Sequence, residues 1–243
     1  MEMQKSWIIA NKDFKIFRRK KRILYTLIIL PLLLSIGLPL VIQSLTTLPN
    51  STAEIIALLN AFSFFYIILA YILPSTLASY SILGEKIEQS LEPLLATPTT
   101  DGELLFGKTI ASFLPCVGII YVGSIIFMVL SDLITYNTMS YLFFPNWSMA
   151  FILLLAVPLS SILSIQINVI ISSRVNDVRT ANQLGLILFI PFIAVYVLLE
   201  TNVVSLNIIN LLAISIILFV VDAVLFYIHK ATFNRDAILT KWK

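Results

Sequence analysis

Long stretches without a single charged side chain dominate this sequence: residues 23–53, 55–84, 109–131, 133–173, 180–199 and 201–221. A helix needs about 20 apolar residues to cross roughly 30 Å of hydrocarbon, and each stretch can hold one. Spans are expected at about 23–43, 55–84, 109–131, 149–171, 181–199 and 208–228. The runs are continuously apolar and do not alternate, so they suit helices that satisfy their own backbone hydrogen bonds and not barrel strands. With 59% of residues hydrophobic and only 12% charged, the chain has too few charges to coat a water-soluble body. The expected fold is all-α, a polytopic membrane protein with six transmembrane helices in one transmembrane domain over 1–243.

The basic residues give the expected orientation. Six spans put both ends on one side, together with segments 1–22, 85–108, 172–180 and 229–243, and these hold all 16 Lys and Arg. The opposite connections, 44–54, 132–148 and 200–207, hold none. Positive charge stays in the cytoplasm, so both termini and the loop 85–108 are expected there, with 229–243 as a cytoplasmic tail. Stretch 55–84 is about 45 Å long as a helix, so its cytoplasmic end is expected to project from the bilayer. Prolines at 31, 39, 74, 115, 158 and 191 predict kinks within spans.

Residues 1–22 carry eight basic side chains and two acids, a start unlike a cleavable leader. Trp7, Ala10, Phe14 and Phe17 recur at helical spacing, with Lys5, Lys12, Lys15, Arg18 and Arg19 largely on other faces. This pattern predicts an interfacial helix in contact with membrane lipid, each cation contributing about 1 kcal/mol near an anionic surface.

Several chemistries are excluded early. One cysteine and one histidine provide neither an internal disulfide nor a His-rich metal site. Residues 102–109 read Gly-Glu-Leu-Leu-Phe-Gly-Lys-Thr and fit the phosphate-loop pattern letter by letter. That loop must leave a buried strand so that its N–H groups converge on phosphate, and here a membrane helix follows instead. Ile216–Val221 followed by Asp222 imitates a magnesium-holding strand, but lies in the sixth span. No catalytic residue, metal, cofactor or nucleic-acid partner is expected in this chain.

The longest internal cytoplasmic connection is 85–108. Glu85, Glu88 and Glu92 fall on one helical face, while Leu91, Leu94 and Leu95 supply an apolar one, and Pro93 ends a turn. An amphipathic segment without catalytic or phosphate-binding groups reads as a docking surface, or as a connector packed on its own bundle.

Glu85, Leu91, Glu92, Leu94, Leu95, Pro98, Gly107 and Lys108 resemble a family pattern of an acid, Leu-Glu-x-Leu-Leu-x-x-Pro and Gly-Lys before a third span. The family is the permease subunits of type-2 export-class ATP-binding-cassette transporters. Gln89-Ser90 stands where the family often has Gly-Thr. Arg179-Thr180-Ala181-Asn182-Gln183 resembles its Ala-x-Gln segment, and Phe233-Asn234-Arg235-Asp236 its tail. The resemblance implies a non-enzymatic transport subunit in a prokaryotic cell membrane. It also implies cytoplasmic ATPase subunits that carry ATP and magnesium and dock on Glu85, Glu88, Leu91, Glu92, Leu94, Leu95, Pro98, Gly107 and Lys108. A second permease copy would complete the pathway.

Asp222, near the cytoplasmic end of the sixth span, either lines that pathway or is bonded or hydrated in the bundle. Tyr66 and Tyr71, in an aromatic-rich second span, either meet an apolar substrate or pack. Two readings compete with the permease: an integral-membrane enzyme built on Asp222 and the loop acids, and a membrane anchor that transports nothing. The sequence does not identify the cargo.

Overall fold

The computed structural model describes residues 3–46, 52–87, 100–175, 177–187, 190, 194 and 208–232. Among these residues there is no strand. The helices are α1 (Met3–Arg19), α2 (Lys21–Thr46), α3 (Thr52–Ile87), α4 (Asp101–Met139), α5 (Trp147–Phe151), α6 (Val157–Arg174), α7 (Val178–Ile187) and α8 (Ile208–Thr232), with a π-helical turn at Ile152–Ala156 joining α5 to α6. The segment 88–99, most of the expected fifth span and the tail from 233 onward lie outside the described residues.

Four helices are long and apolar enough to cross a bilayer: Ile23–Ser44, Thr52–Glu85, Gly102–Met139 and Trp147–Ser172. A shorter apolar helix covers Ser215–Tyr227, within the expected sixth span. The expected span centres are thus helical wherever they are described, but the boundaries shift. α4 begins eight residues before the expected third span and ends eight after it, and its 39 residues reach about 58 Å. Asp132 had marked the edge of the apolar run. Its carboxylate instead turns back to accept the backbone N–H groups of Phe143 and Phe144 at 3.0 and 3.1 Å, so the acid lies inside the helix and fastens the following loop. Ser140 then ends the helix in the left-handed region, at φ 61°.

α3 is the central element and packs against α2, α4, α6 and α7, while α8 lies on α6. Half of the apolar window of α3 is buried (50%) against 28% for α2, which is peripheral. Large apolar side chains face outward on the peripheral helices, including Leu33, Val122, Leu133, Ile216 and Phe219. In water such a surface would drive aggregation, and in a bilayer it is the solvent-facing side.

Helix runs unbroken through Pro31, Pro39, Pro74 and Pro115. At Pro158 the ladder changes instead. The residue lacks an N–H, the preceding turn is π-helical, and the i−5 carbonyl it would have bonded belongs to Leu153. The Tyr121 hydroxyl donates to that carbonyl at 2.9 Å, so α4 supplies the missing bond. Asn146, which begins an Asn-x-Ser pattern, caps α5 by accepting the Met149 N–H at 2.8 Å.

Candidate functional site

Loop 85–108 leaves the end of α3 and returns at the start of α4, so its root is defined by these two termini. Thr100 opens α4 with a capping box: its hydroxyl accepts the Glu103 N–H at 3.3 Å, and the Glu103 carboxylate accepts the Thr100 N–H at 3.0 Å. The phosphate-loop look-alike is therefore helical from Asp101 onward. From Glu103 onward its N–H groups are spent in the cap or the helix ladder and form no cradle.

Two turns into α4, Lys108 is only 1% exposed and meets two acids. Its Nζ lies 2.9 Å from Glu85 Oε2 and 3.6 Å from Asp13 Oδ2. The ammonium donates to the Ser81 carbonyl at 2.7 Å and to Ser81 Oγ at 3.1 Å, and that hydroxyl donates onward to Asp13 Oδ2 at 2.6 Å. Lys12, half-exposed on α1, closes the set with a 2.8 Å ion pair to Glu85 Oε1. Two cations and two carboxylates balance, which is the condition under which charges are tolerated away from water. The junction joins α1 (Lys12, Asp13), the end of α3 (Ser81, Glu85) and the start of α4 (Lys108).

The neighbouring contacts follow from the same closeness. α1 is a helix as expected, but its buried stripe is Ser6, Ile9, Ala10, Asp13 and Phe17, and Trp7 remains 52% exposed. That stripe lies on α4 at Gly107, where an added Cβ would sit 2.7 Å from the Ser6 carbonyl oxygen and 2.9 Å from Ile9 Cβ. Only glycine admits the backbone of α1 at that distance. Lys20, the single non-helical residue between α1 and α2, holds the corner by placing its ammonium 4.4 Å from the Tyr80 ring centroid.

Among the expected docking residues, Glu85, Gly107 and Lys108 are thus turned into the chain's own helices. Glu85 and Lys108 are buried and Gly107 lies against α1, so all three pack within the chain. Glu88, Leu91, Glu92, Leu94, Leu95 and Pro98 lie outside the described residues. Asp13, Ser81 and Lys12 were missed in the sequence. The available signal was an acid on the inward stripe of an otherwise basic helix.

Deeper in the bundle, Tyr66 and Tyr71 are fully enclosed. The Tyr66 hydroxyl bonds Ser35 Oγ at 3.0 Å and the Gly123 carbonyl at 3.3 Å, tying α2, α3 and α4. The Tyr71 hydroxyl donates to the Gly185 carbonyl at 2.8 Å, and the Tyr71 carbonyl accepts from Ser164 Oγ. Ser79 donates to Asn168 Oδ1 at 3.1 Å, and Gly185 is so close to that amide that an added Cβ would stand 2.4 Å from the same oxygen. Both tyrosine hydroxyls are spent on bonds between helices, in keeping with the packing alternative. Ala181 and Gly185 form the small-residue face by which α7 enters the bundle. Asp222 is 6% exposed on the same α8 face as Leu218 and Leu225, which pack with Leu163 and Ile167 of α6. Neither of its carboxylate oxygens has a hydrogen-bond partner among the described residues.

No group of three or more His, Cys, Asp or Glu is arranged to hold a metal among the described residues. The fold and site define a multi-pass helical membrane protein whose charges gather at the root of one internal loop. A family model described as ABC-2 family transporter protein matches residues 7–213, most of the chain, and the chain belongs to that family. It is a transport-type membrane protein of the ATP-binding-cassette systems, as the loop motif had suggested. No curated protein matches the chain.

Proposed function

We propose that this chain is the permease subunit of an ATP-binding-cassette exporter in a prokaryotic cell membrane. Six spans, with both termini in the cytoplasm, form half of a pathway that a second permease copy completes. Separate ATPase subunits, which bind ATP and magnesium, dock on the amphipathic part of loop 85–108 through Glu88, Leu91, Glu92, Leu94, Leu95 and Pro98. Glu85, Gly107 and Lys108 act one step behind that surface, as the anchorage that turns a push on the loop into movement of helices.

The observation that carries this reading is the charge-balanced junction of Lys12, Asp13, Glu85 and Lys108 at the two ends of the loop. A flexible loop would absorb the motion of a docked motor. A loop whose root is fastened by buried ion pairs passes the motion to α1, α3 and α4 together. α3 then bears on α6 and α7 through Tyr71, Ser79 and Asn168. Buried ion pairs contribute little net stability and are best used to fix one register among alternatives, which suits a two-state bundle biased by a partner's differential binding. Asp222 is the polar group we assign to the pathway, because it is not consumed in helix clamping among the described residues.

The experiment is purification from native membranes with its nucleotide hydrolase. The expected result is a co-purifying ATPase whose hydrolysis responds to the permease, with Lys108→Met retaining the partner but losing that response. Cargo movement by the purified chain without a nucleotide-hydrolysing companion would overturn the proposal, as would catalytic turnover without nucleotide. Retention of the partner with no transport at all would favour an anchor instead.

A further inference from the structure

An apolar cleft of about 260 Å³ opens where α1, α2, α3 and α4 meet beside the Lys20 corner. Phe17 and Arg18 of α1, Leu24 and Leu27 of α2, Leu77 of α3 and Pro115 of α4 line it. Apart from Arg18 the lining side chains are apolar. Arg18 is exposed, and the nearby Lys15, Arg19 and Lys21 are exposed as well. Among the described residues no acid lines the cleft, and the one acid of α1, Asp13, is turned into the junction with Lys108.

We propose that this cleft seats one acyl chain of an anionic phospholipid, with the phosphate of its headgroup on Arg18. Two halves of the site call for the two halves of one molecule. The apolar trough suits a hydrocarbon chain, since each methylene removed from water gains about 0.8 kcal/mol and a soluble anion would leave the trough unfilled. The guanidinium provides a planar fork of donors for phosphate, and its basic neighbours favour a headgroup with net negative charge over a zwitterionic one. The location fits as well. α1 carries an outward apolar side at Trp7 and Ile8, 52% and 69% exposed, as an interfacial helix does, and α2 begins its apolar span at Ile23. The cleft therefore lies where the headgroup layer meets the hydrocarbon. A lipid there wedges α1 against α2 and holds the face of α1 that carries the junction. The proposal concerns lipid binding by this chain and stands whether or not an ATPase docks on the loop.

The test is native mass spectrometry of the delipidated full-length protein in detergent, titrated with phosphatidylglycerol and with phosphatidylcholine of the same chain length. The wild type should retain phosphatidylglycerol in preference. Arg18→Gln should lower that preference about fivefold, equivalent to about 1 kcal/mol for one cation near an anionic headgroup. Arg179→Gln, an equal charge change on the exposed side of α7, should leave it unchanged, and Arg18→Lys should restore most of it. Leu24→Trp should weaken both lipids by filling the trough, with Leu24→Phe as the milder variant if tryptophan prevents folding. Glycerol phosphate, which has no chain, should not compete. An unchanged lipid preference in Arg18→Gln, full lipid retention in both Leu24 variants, or displacement by glycerol phosphate would each overturn the proposal.

Discussion

Replacing Lys108 by Met removes one of two cations from a junction in which Lys108, Asp13 and Glu85 are 1%, 3% and 5% exposed at the side chain. Glu85 keeps Lys12 at 2.8 Å, so the acid left without a cation is Asp13, whose remaining bond is from Ser81. Removing one partner of a buried pair costs about 3–5 kcal/mol, because the other charge stays desolvated. The lower part of that range, about 3 kcal/mol, is expected here, since Ser81 continues to donate to Asp13. Adding Asp13→Asn removes the stranded acid and should recover about 1–2 kcal/mol, so the double variant is more stable than Lys108→Met alone. The assay is denaturant or thermal unfolding of full-length protein in lipid nanodiscs, followed by tryptophan fluorescence. A loss below about 0.5 kcal/mol in Lys108→Met, the level of an ordinary surface change, would refute the reasoning. So would strictly additive losses in the double variant.

Two glycines in the same helix should behave oppositely. Gly107→Ala drives a Cβ into the Ser6 carbonyl and Ile9, which should displace α1 at a cost of about 1–3 kcal/mol and raise its protease sensitivity, whereas Gly102→Ala, with open space around it, should be neutral or stabilising by up to about 1 kcal/mol in the same melts. Tyr71→Phe should cost about 1 kcal/mol by leaving the Gly185 carbonyl without its donor, and an unchanged melting point would show that the clamp carries no weight. Asp222→Leu should raise stability, by about 1–3 kcal/mol, because it removes a buried carboxylate without a described partner; a fall of similar size would mean that the acid is bonded.

The helical class and the span centres were legible because lipid demands long runs with satisfied backbones, and no other pattern produces charge-free stretches of this length. Boundaries were less legible. Asp132 and Lys108 delimit apolar runs, and a charge at the end of a run is naturally taken as the membrane edge. Both instead lie inside α4, one bonded to backbone N–H groups and the other to acids of α1 and α3. Pairings such as Lys12 with Glu85, 73 residues apart, leave no trace in local spacing. Asp13 was missed although it left a signal, because it shares a helical stripe with Ala10 and Phe17. The aromatic enrichment of the second span was visible, but whether Tyr66 and Tyr71 pack or line a passage depended on where Gly123 and Gly185 fall in space. Rejection of the phosphate loop needed only the physics of its neighbours: a Thr cap and a helix follow one another there, as N–H groups in a ladder cannot gather around phosphate.

The most direct measurement uses the chain's chemistry as it stands. Cys116 is its one cysteine and is fully buried, so a cysteine introduced by Glu92→Cys is the reactive thiol. Labelled with a membrane-impermeant reagent, this position should react only when the cytoplasmic face is opened. In native membranes it should form a crosslink to a nucleotide-binding subunit that ATP strengthens or weakens. Labelling from outside intact cells, or a thiol that never meets a nucleotide-binding protein, would contradict the account at its centre.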